Sequence, residues 1–530
     1  ELETLFDLFQ FETIYESVDA NSPMYEVMQA INLLAQRTSG KALETDVMKM
    51  VPEYSGLESP FAAFEKELYA IEHTIRSKES EFYTTSSDIN LKQLFVLHKQ
   101  CNEFVEKAFQ NSSKFGISLR VNQNLLSIKQ HLYRIGVLLP LLVIDKPEEK
   151  KSKSIELAIK LVKYNCLKTN VRKLFAESTQ LLSYEITQHT AKTGEHYITE
   201  SKTEYFKMLY AAIGGGLIVG ILCIIKLLLS KLETSDFGHA FFYSMNYSFG
   251  FIAIYILGFT LATKQPAMTA AALISALEDG LKKQANGDGE KHNSFAVLFA
   301  RLFRSQFIAF VGNVLMAFPV ALLGIWLIDL GFNYNIAESK WEKLVTDLSP
   351  VHSLAIFHAA IAGFFLFLSG IISGSIANRD KHFNVYYRIQ EHPLLKLNFG
   401  KAKADKISKW YEHYWAGIVS NFWFGIFLGS TASIGLFLGL NLDIRHITFA
   451  SGNLALAVYG ADYMVNNVML FWGILGIGII GFVNFLVSFS LSLGLAFRSR
   501  NIPLTELRPI ITSIKQHFFR KPLSFFFPTE

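Results

Sequence analysis

The sequence predicts an all-α membrane protein. It has an N-terminal cytoplasmic helical domain, a six-helix transmembrane bundle and two short interfacial or re-entrant segments. Three observations carry this. Six apolar stretches, 208–230, 237–261, 306–328, 353–377, 416–440 and 468–497, fill the second half of the chain, and none holds an Asp or Glu in its interior. Each is long enough to cross a hydrocarbon core of ~30 Å as a helix. The links between the stretches alternate between Lys/Arg-rich and Lys/Arg-poor, and the first 207 residues show helical spacing of apolar residues without any sustained period-two pattern.

The N-terminal part, 1–207, reads as helices over 25–37, 61–76, 88–109, 117–139, 154–164 and 171–187, with Asp88 and Ser154 as N-caps. Pro147 and the charged run 148–153 read as a solvated connection. From Glu195 the pattern continues through Tyr205, which predicts a nearly continuous helix into the first stretch and a mechanical link to it. The first residues show no basic start followed by an apolar run, so no signal peptide is expected there. Cys101, Cys166 and Cys223 are scattered and form no C-x-x-C pair, which argues against a zinc site or a disulfide framework.

Orientation follows from charge. The link 262–305 holds Lys264, Lys282, Lys283, Lys291, Arg301 and Arg304, and the link 378–415 holds Arg379, Lys381, Arg388, Lys396, Lys401, Lys403, Lys406 and Lys409. The tail 498–530 is also basic, whereas the other three links carry only Lys231, then Lys340 and Lys343, then Arg445. The positive-inside rule places the N-terminal domain, both rich links and the tail in the cytoplasm. The link 378–415 also carries Phe383, Tyr386, Tyr387, Phe399, Trp410, Tyr411, Tyr414 and Trp415, a composition that favours anionic lipid headgroups over nucleic acid.

Within the stretches, Gly-x-x-x-Gly pairs at 216/220, 370/374, 425/429 and 435/439 predict close helix packing inside the bundle or between copies in a homo-oligomer. Asn246, Asn313, His358, Asn421 and Asn484 are the cavity candidates, because a polar group at membrane depth needs a partner and often lines a path. Lys226 sits near one end of its stretch and can snorkel. Two links are too apolar for ordinary loops: 263–277, with Lys264, Gln265 and Pro266, and 444–465, with Arg445, His446 and Asn453. Each is expected to lie in the interface or re-enter the membrane under protein cover.

Several segments carry a family resemblance: HTAKTGEHYIT at 189–199, YSMNYSFG at 243–250, TLATKQPAMTAA at 260–271, GNVLMAFPVA at 312–321, ANRDKHFNVYYRIQEHPLL at 377–395 and RHITFASGNLALAVYG at 445–460. Together they resemble the bacterial transmembrane family called site-specific recombinase, over most of residues 115–500. The resemblance implies a bacterial inner-membrane protein, multi-pass, and a link to DNA recombination.

The residues give that chemistry little support. A tyrosine recombinase uses a nucleophilic Tyr, two Arg and a His or Lys around the transferring phosphate. His131, Arg134 and Tyr164 supply a fragment of this set, but Arg37, Arg76 and Arg120 lack context as the upstream Arg. The junction motif His189, Glu195, His196 and Tyr197 offers imidazole and carboxylate ligands for a metal, at a spacing that matches no metal signature, and local hydrogen bonding is the favoured role. No cofactor is expected. The favoured function is non-enzymatic: transport of, or scaffolding around, a lipid or envelope component, with membrane lipids and an envelope protein as partners. Recombination and a metal-dependent membrane enzyme are the alternatives.

Overall fold

A computed structural model describes residues 23–54, 59–76, 83–167, 198–263, 269–270, 273–274, 293–499 and 504–528. The chain divides into two compact units, Glu1–Leu181 and Leu182–Glu530. Both are helical, and among the described residues the only β-type pairing is an isolated bridge between Thr84 and Val143.

The first unit packs α1 (Pro23–Ala42), α2 (Thr45–Met48), α3 (Pro60–Arg76), α4 (Ile89–Phe115), α5 (Leu119–Leu138) and α6 (Pro147–Leu167). Helically spaced apolar residues face inward: Met24, Met28 and Ile31 from α1, Phe61, Phe64 and Leu68 from α3, and Leu125, Ile128, Leu132 and Ile135 from α5. Asp88 caps α4 as expected, accepting from the Asn90 backbone N–H at 2.9 Å. Ser154 is not a cap. The run 148–153 forms the first turns of α6, which begins at Pro147. A proline at the first helical position loses no bond, and Glu148 and Glu149 there favour the helix dipole.

In the second unit, five helices are long and apolar enough to cross a membrane: α7 (Lys202–Leu229), α9 (Asn293–Phe332), α11 (Ala355–His382), α14 (Lys401–Leu438) and α16 (Asn467–Ser499). This is a multi-pass membrane protein. The stretch 237–261 gives a shorter and more polar helix, α8 (Asp236–Ile256), which falls outside that group because Tyr243, Ser244, Asn246, Tyr247, Ser248 and Tyr255 lower its hydropathy. These groups are bonded across helices: the Ser248 hydroxyl donates to Phe422 O at 2.8 Å, and the Tyr255 hydroxyl donates to His413 O at 3.1 Å. The helix ends in a Schellman turn, with Phe259 N–H to Ile254 O at 2.9 Å, Gly258 N–H to Tyr255 O at 3.1 Å, and Gly258 at φ +70°. Residues 257–263 then turn back into the bundle, where Thr260, Ala262 and Thr263 are buried.

The continuous helix expected from Glu195 does not form over the described residues. Ser201 and Glu204 make a reciprocal capping box, so α7 starts at Lys202, and residues 198–201 are not helical. Shorter elements complete the unit: α10 (Trp341–Thr346), α12 (Val385–Gln390), α13 (Pro393–Phe399), α15 (Ile447–Gly460) and α17 (Leu507–Arg520). The main pairings are α7 with α9, α8 with α14, and α11 with both α14 and α16. Small residues permit them. A Cβ at Gly216 would lie 2.5 Å from Asn313 O, and one at Gly425 would lie 2.3 Å from Ser248 N. Those two Gly-x-x-x-Gly pairs therefore pack helices within one chain.

Candidate functional site

The link expected to be interfacial or re-entrant, 444–465, contains α15. Its 14 residues rise roughly 21 Å, short of the ~30 Å core. Nearly all are buried, and the helix packs against α7, α9, α10 and α16. A helix so enclosed must satisfy its first N–H groups internally. Asn484 Oδ1 accepts from Ile447 N–H at 3.2 Å, and His446 Nδ1 accepts from Thr448 N–H at 3.4 Å. With Nδ1 as acceptor, the neutral His446 ring carries its proton on Nε2, which faces Thr263 Oγ1 at 3.2 Å.

Just before this N-terminus lies a group of charges drawn from three elements. The Arg445 guanidinium bonds Asp347, the C-cap of α10, at 2.8 Å, and pairs with Asp443. It also donates to Asp347 O at 3.3 Å and Ile444 O at 3.2 Å. Desolvation by burial works against ionisation of Asp443, but Arg445 and Lys226 outweigh it and hold the carboxyl below its ordinary range. Lys226, in the last turns of α7, has its ammonium 5.5 Å from the ring centre of Tyr243 and 5.4 Å from that of Tyr247.

These side chains line a cavity of about 30 Å³. Its polar wall is Lys226, Tyr247, Asp443, Arg445, His446 and Asn453, and its apolar wall includes Leu428, Phe449 and Ala450. A single water needs ~10–15 Å³ on this measure, so the space suits a pair of waters or the charged atoms of one headgroup. The Asn453 side chain has no hydrogen-bond partner among the described residues. The Lys226 ammonium donates to the Tyr247 hydroxyl, and no carboxylate among the described residues lies within ion-pair distance of it. The Asn453 amide and the remaining N–H groups of Lys226 are available to a ligand.

The five sequence-chosen polar residues lie elsewhere and are committed to backbone groups. Asn313, fully buried, makes four bonds: Oδ1 accepts from Ala262 N–H at 2.8 Å and the Thr448 hydroxyl at 3.0 Å, and Nδ2 donates to Ala212 O at 2.6 Å and Thr260 O at 2.9 Å. Asn484 Nδ2 donates to Ala359 O at 2.7 Å and Arg445 O at 3.0 Å. Asn246 donates to Leu222 O at 3.1 Å, Asn421 donates to Gly417 O at 2.8 Å, and His358 Nε2 lies 3.0 Å from Asn441 O. Asn246, Asn313, His358 and Asn484 tie helices and turns together, the Asn421 bond lies within α14, and none of the five is on the cavity wall. Arg445, His446 and Asn453 are on it. Sequence reasoning missed Asp347 and Asp443 because it sought acids only inside the apolar stretches; the signal was the Asp443-Ile444-Arg445 triplet in a link whose other acid is Asp462.

The family model described as site-specific recombinase matches residues 1–528. The chain belongs to that family. No curated protein and no solved structure matches it.

In this recombinase-family chain, His131 and Arg134 lie on α5. His131 Nδ1 is buried without a hydrogen-bond partner. Burial, with smaller contributions from Lys41, Arg134 and Arg37, holds the imidazole pKa below its ordinary value. The fold therefore brings Arg37 and Lys41 of α1 towards His131, a convergence that the sequence separation concealed. Lys41 also donates to the Ser127 hydroxyl at 2.5 Å. Tyr164 falls in α6, with its side chain outside the described part. His189, Glu195, His196, Tyr197, Lys264, Gln265 and Pro266 also lie outside the described residues. Among the described residues, no three His, Cys, Asp or Glu side chains converge to hold a metal.

Proposed function

We propose that this protein binds the polar end of a lipid or envelope component inside its bundle, as a transporter or scaffold rather than an enzyme, in a bacterial inner membrane. The observation that carries this reading is the cavity where the Asn453 amide and the remaining N–H groups of Lys226 lie beside the Asp347–Arg445–Asp443 cluster. Ionisable groups at membrane depth are costly and usually mark a substrate or ion path. The surrounding apolar wall suits an amphiphile whose chain lies among the helices. In this reading α8 is the sixth span, both termini are cytoplasmic by the positive-inside rule, and the basic residues of 378–415 meet anionic headgroups.

Native mass spectrometry of the protein released from nanodiscs tests it. A retained amphiphile that is lost in Lys226→Ala and kept in Lys226→Arg supports the reading. Bare protein in all three removes tight binding at this site.

The family description and the grouping of Arg37, Lys41, His131 and Arg134 favour a second reading, chemistry or binding on a nucleic-acid phosphate. Strand exchange that persists in Arg37→Ala and Arg134→Ala would remove it.

A further inference from the structure

The C-terminal segment offers a second membrane-facing surface. One side of α17 (Leu507, Ile510 and Ile514) joins an apolar cluster with Phe295 and Leu302 of α9 and Phe485 and Phe489 of α16. The chain then turns at Pro522 and packs Phe526 against Phe303 and Phe307, with ring centres 5.9 and 5.1 Å apart. The Tyr205 hydroxyl donates to Phe526 O at 3.0 Å. Tyr205 lies just before the apolar stretch 208–230, and Phe307 lies at the start of 306–328. The tail is thus pinned where the apolar stretches give way to polar flanks.

The other side of α17 is exposed, apart from Phe518, whose ring packs edge-on against Phe525 at 5.2 Å. At 100° per residue, Ile511, Lys515, Arg508 and Phe519 follow one another round the outer arc, with Leu523 continuing it, and Thr512, Gln516 and Arg520 lie past Phe519 on the flank farther from Ile511. Phe519 is 82% exposed and Leu523 63% exposed. Arg508, Lys515, Arg520 and Lys521 make no ion pair among the described residues, and residues 507–528 contain no acid. Large apolar side chains flanked by uncompensated cations, held at the edge of the spans, have the composition of an interfacial helix.

We propose that α17 and the turn after it lie in the headgroup layer of a bilayer and bind anionic phospholipid, with Ile511, Phe519 and Leu523 reaching the acyl boundary and Arg508, Lys515, Arg520 and Lys521 holding the phosphates. The test uses the full chain with Cys166→Ser and a spin label at Ile511→Cys or Gln516→Cys, roughly 140° apart on the helix, reconstituted in phosphatidylglycerol-containing or phosphatidylcholine-only nanodiscs. In the anionic discs, position 511 should be accessible to oxygen and shielded from a water-soluble nickel reagent, and position 516 the reverse. Neutralising Lys515, Arg520 and Lys521 to Gln should shift position 511 towards water by roughly fivefold in the equilibrium per residue. Nickel access at 511 equal to that at 516 in anionic discs overturns the proposal. So does a depth that ignores both headgroup charge and the Gln substitutions, which would mean an apolar anchor only. Immobility at 511 with exclusion of both reagents would mean a protein occupant and also overturns it.

Discussion

Asn313→Ala should be the most damaging single change among the buried asparagines. The amide joins four groups from three places: Ala212 in α7, Thr260 and Ala262 in the turn after α8, and Thr448 at the start of α15. Ala212 O lies inside α7 and has a helix partner of its own. Ala262 N–H and Thr260 O belong to the non-helical 257–263 segment and have no such alternative. Each orphaned backbone group costs ~1–3 kcal/mol, so their loss sums to roughly 2–6 kcal/mol. Membrane measurements, which average nearer ~0.6 kcal/mol per side-chain bond, favour the lower half of that range. Asn246→Ala is the matched control. It loses one bond to Leu222 O, a carbonyl within α7, at a cost of about 0.5–1.5 kcal/mol. Unfolding of both variants in bilayers, read by steric trapping, should show the Asn313 variant destabilised by more than twice as much. Equal losses would refute the argument that in-membrane turns depend on this amide.

Three further outcomes follow from the same geometry. Arg445→Ala leaves Asp347 without its cation and Asp443 with only the more distant Lys226, and should cost about 3–5 kcal/mol, with the Arg445 side chain only 11% exposed; reconstituted thermal unfolding checks it, and an additional Asp443→Asn should recover part of the loss. Gly425→Val drives a Cβ towards the Ser248 backbone, which cannot yield as a side-chain tip can, so the loss should lie at the upper end of the ~1–3 kcal/mol overpacking range, seen as reduced yield of folded protein. His131 has a folded pKa below its unfolded value of 6.5. The folded state therefore binds fewer protons, and stability is intact above the unfolded value and declines as pH falls through the folded one. Hydrogen exchange across α5 should lose protection between neutral and mildly acidic pH, and His131→Gln should flatten that dependence.

The site was harder to read than the fold. Lys226 and Arg445 are visible as rare charges near apolar stretches, but their neighbours come from distant positions. Asp347 is a helix C-cap almost one hundred residues before Arg445, and it meets Arg445 only because α10 packs beside α15. The asparagines stood out correctly as buried polar groups. Their partners are backbone carbonyls and N–H groups of turns, whose positions follow from no sequence period, so a lining role and a bracing role look alike in one dimension. The charged run 148–153 misled for a related reason: acids beside a proline suit a helix start as well as a loop.

By itself the sequence determined the membrane class, the helical composition and the approximate position of each long apolar helix. Those depend on local quantities: side-chain hydropathy, length against bilayer thickness, and helical periodicity. Only the tertiary structure decided that α8 trades apolar surface for cross-helix hydrogen bonds, that 260–263 and α15 lie buried within the bundle, and that Lys226, Asp443 and Arg445 share a cavity. Those outcomes depend on the pairing of unsatisfied polar groups across long sequence separations, because in a medium without water each such group must find its partner in the protein.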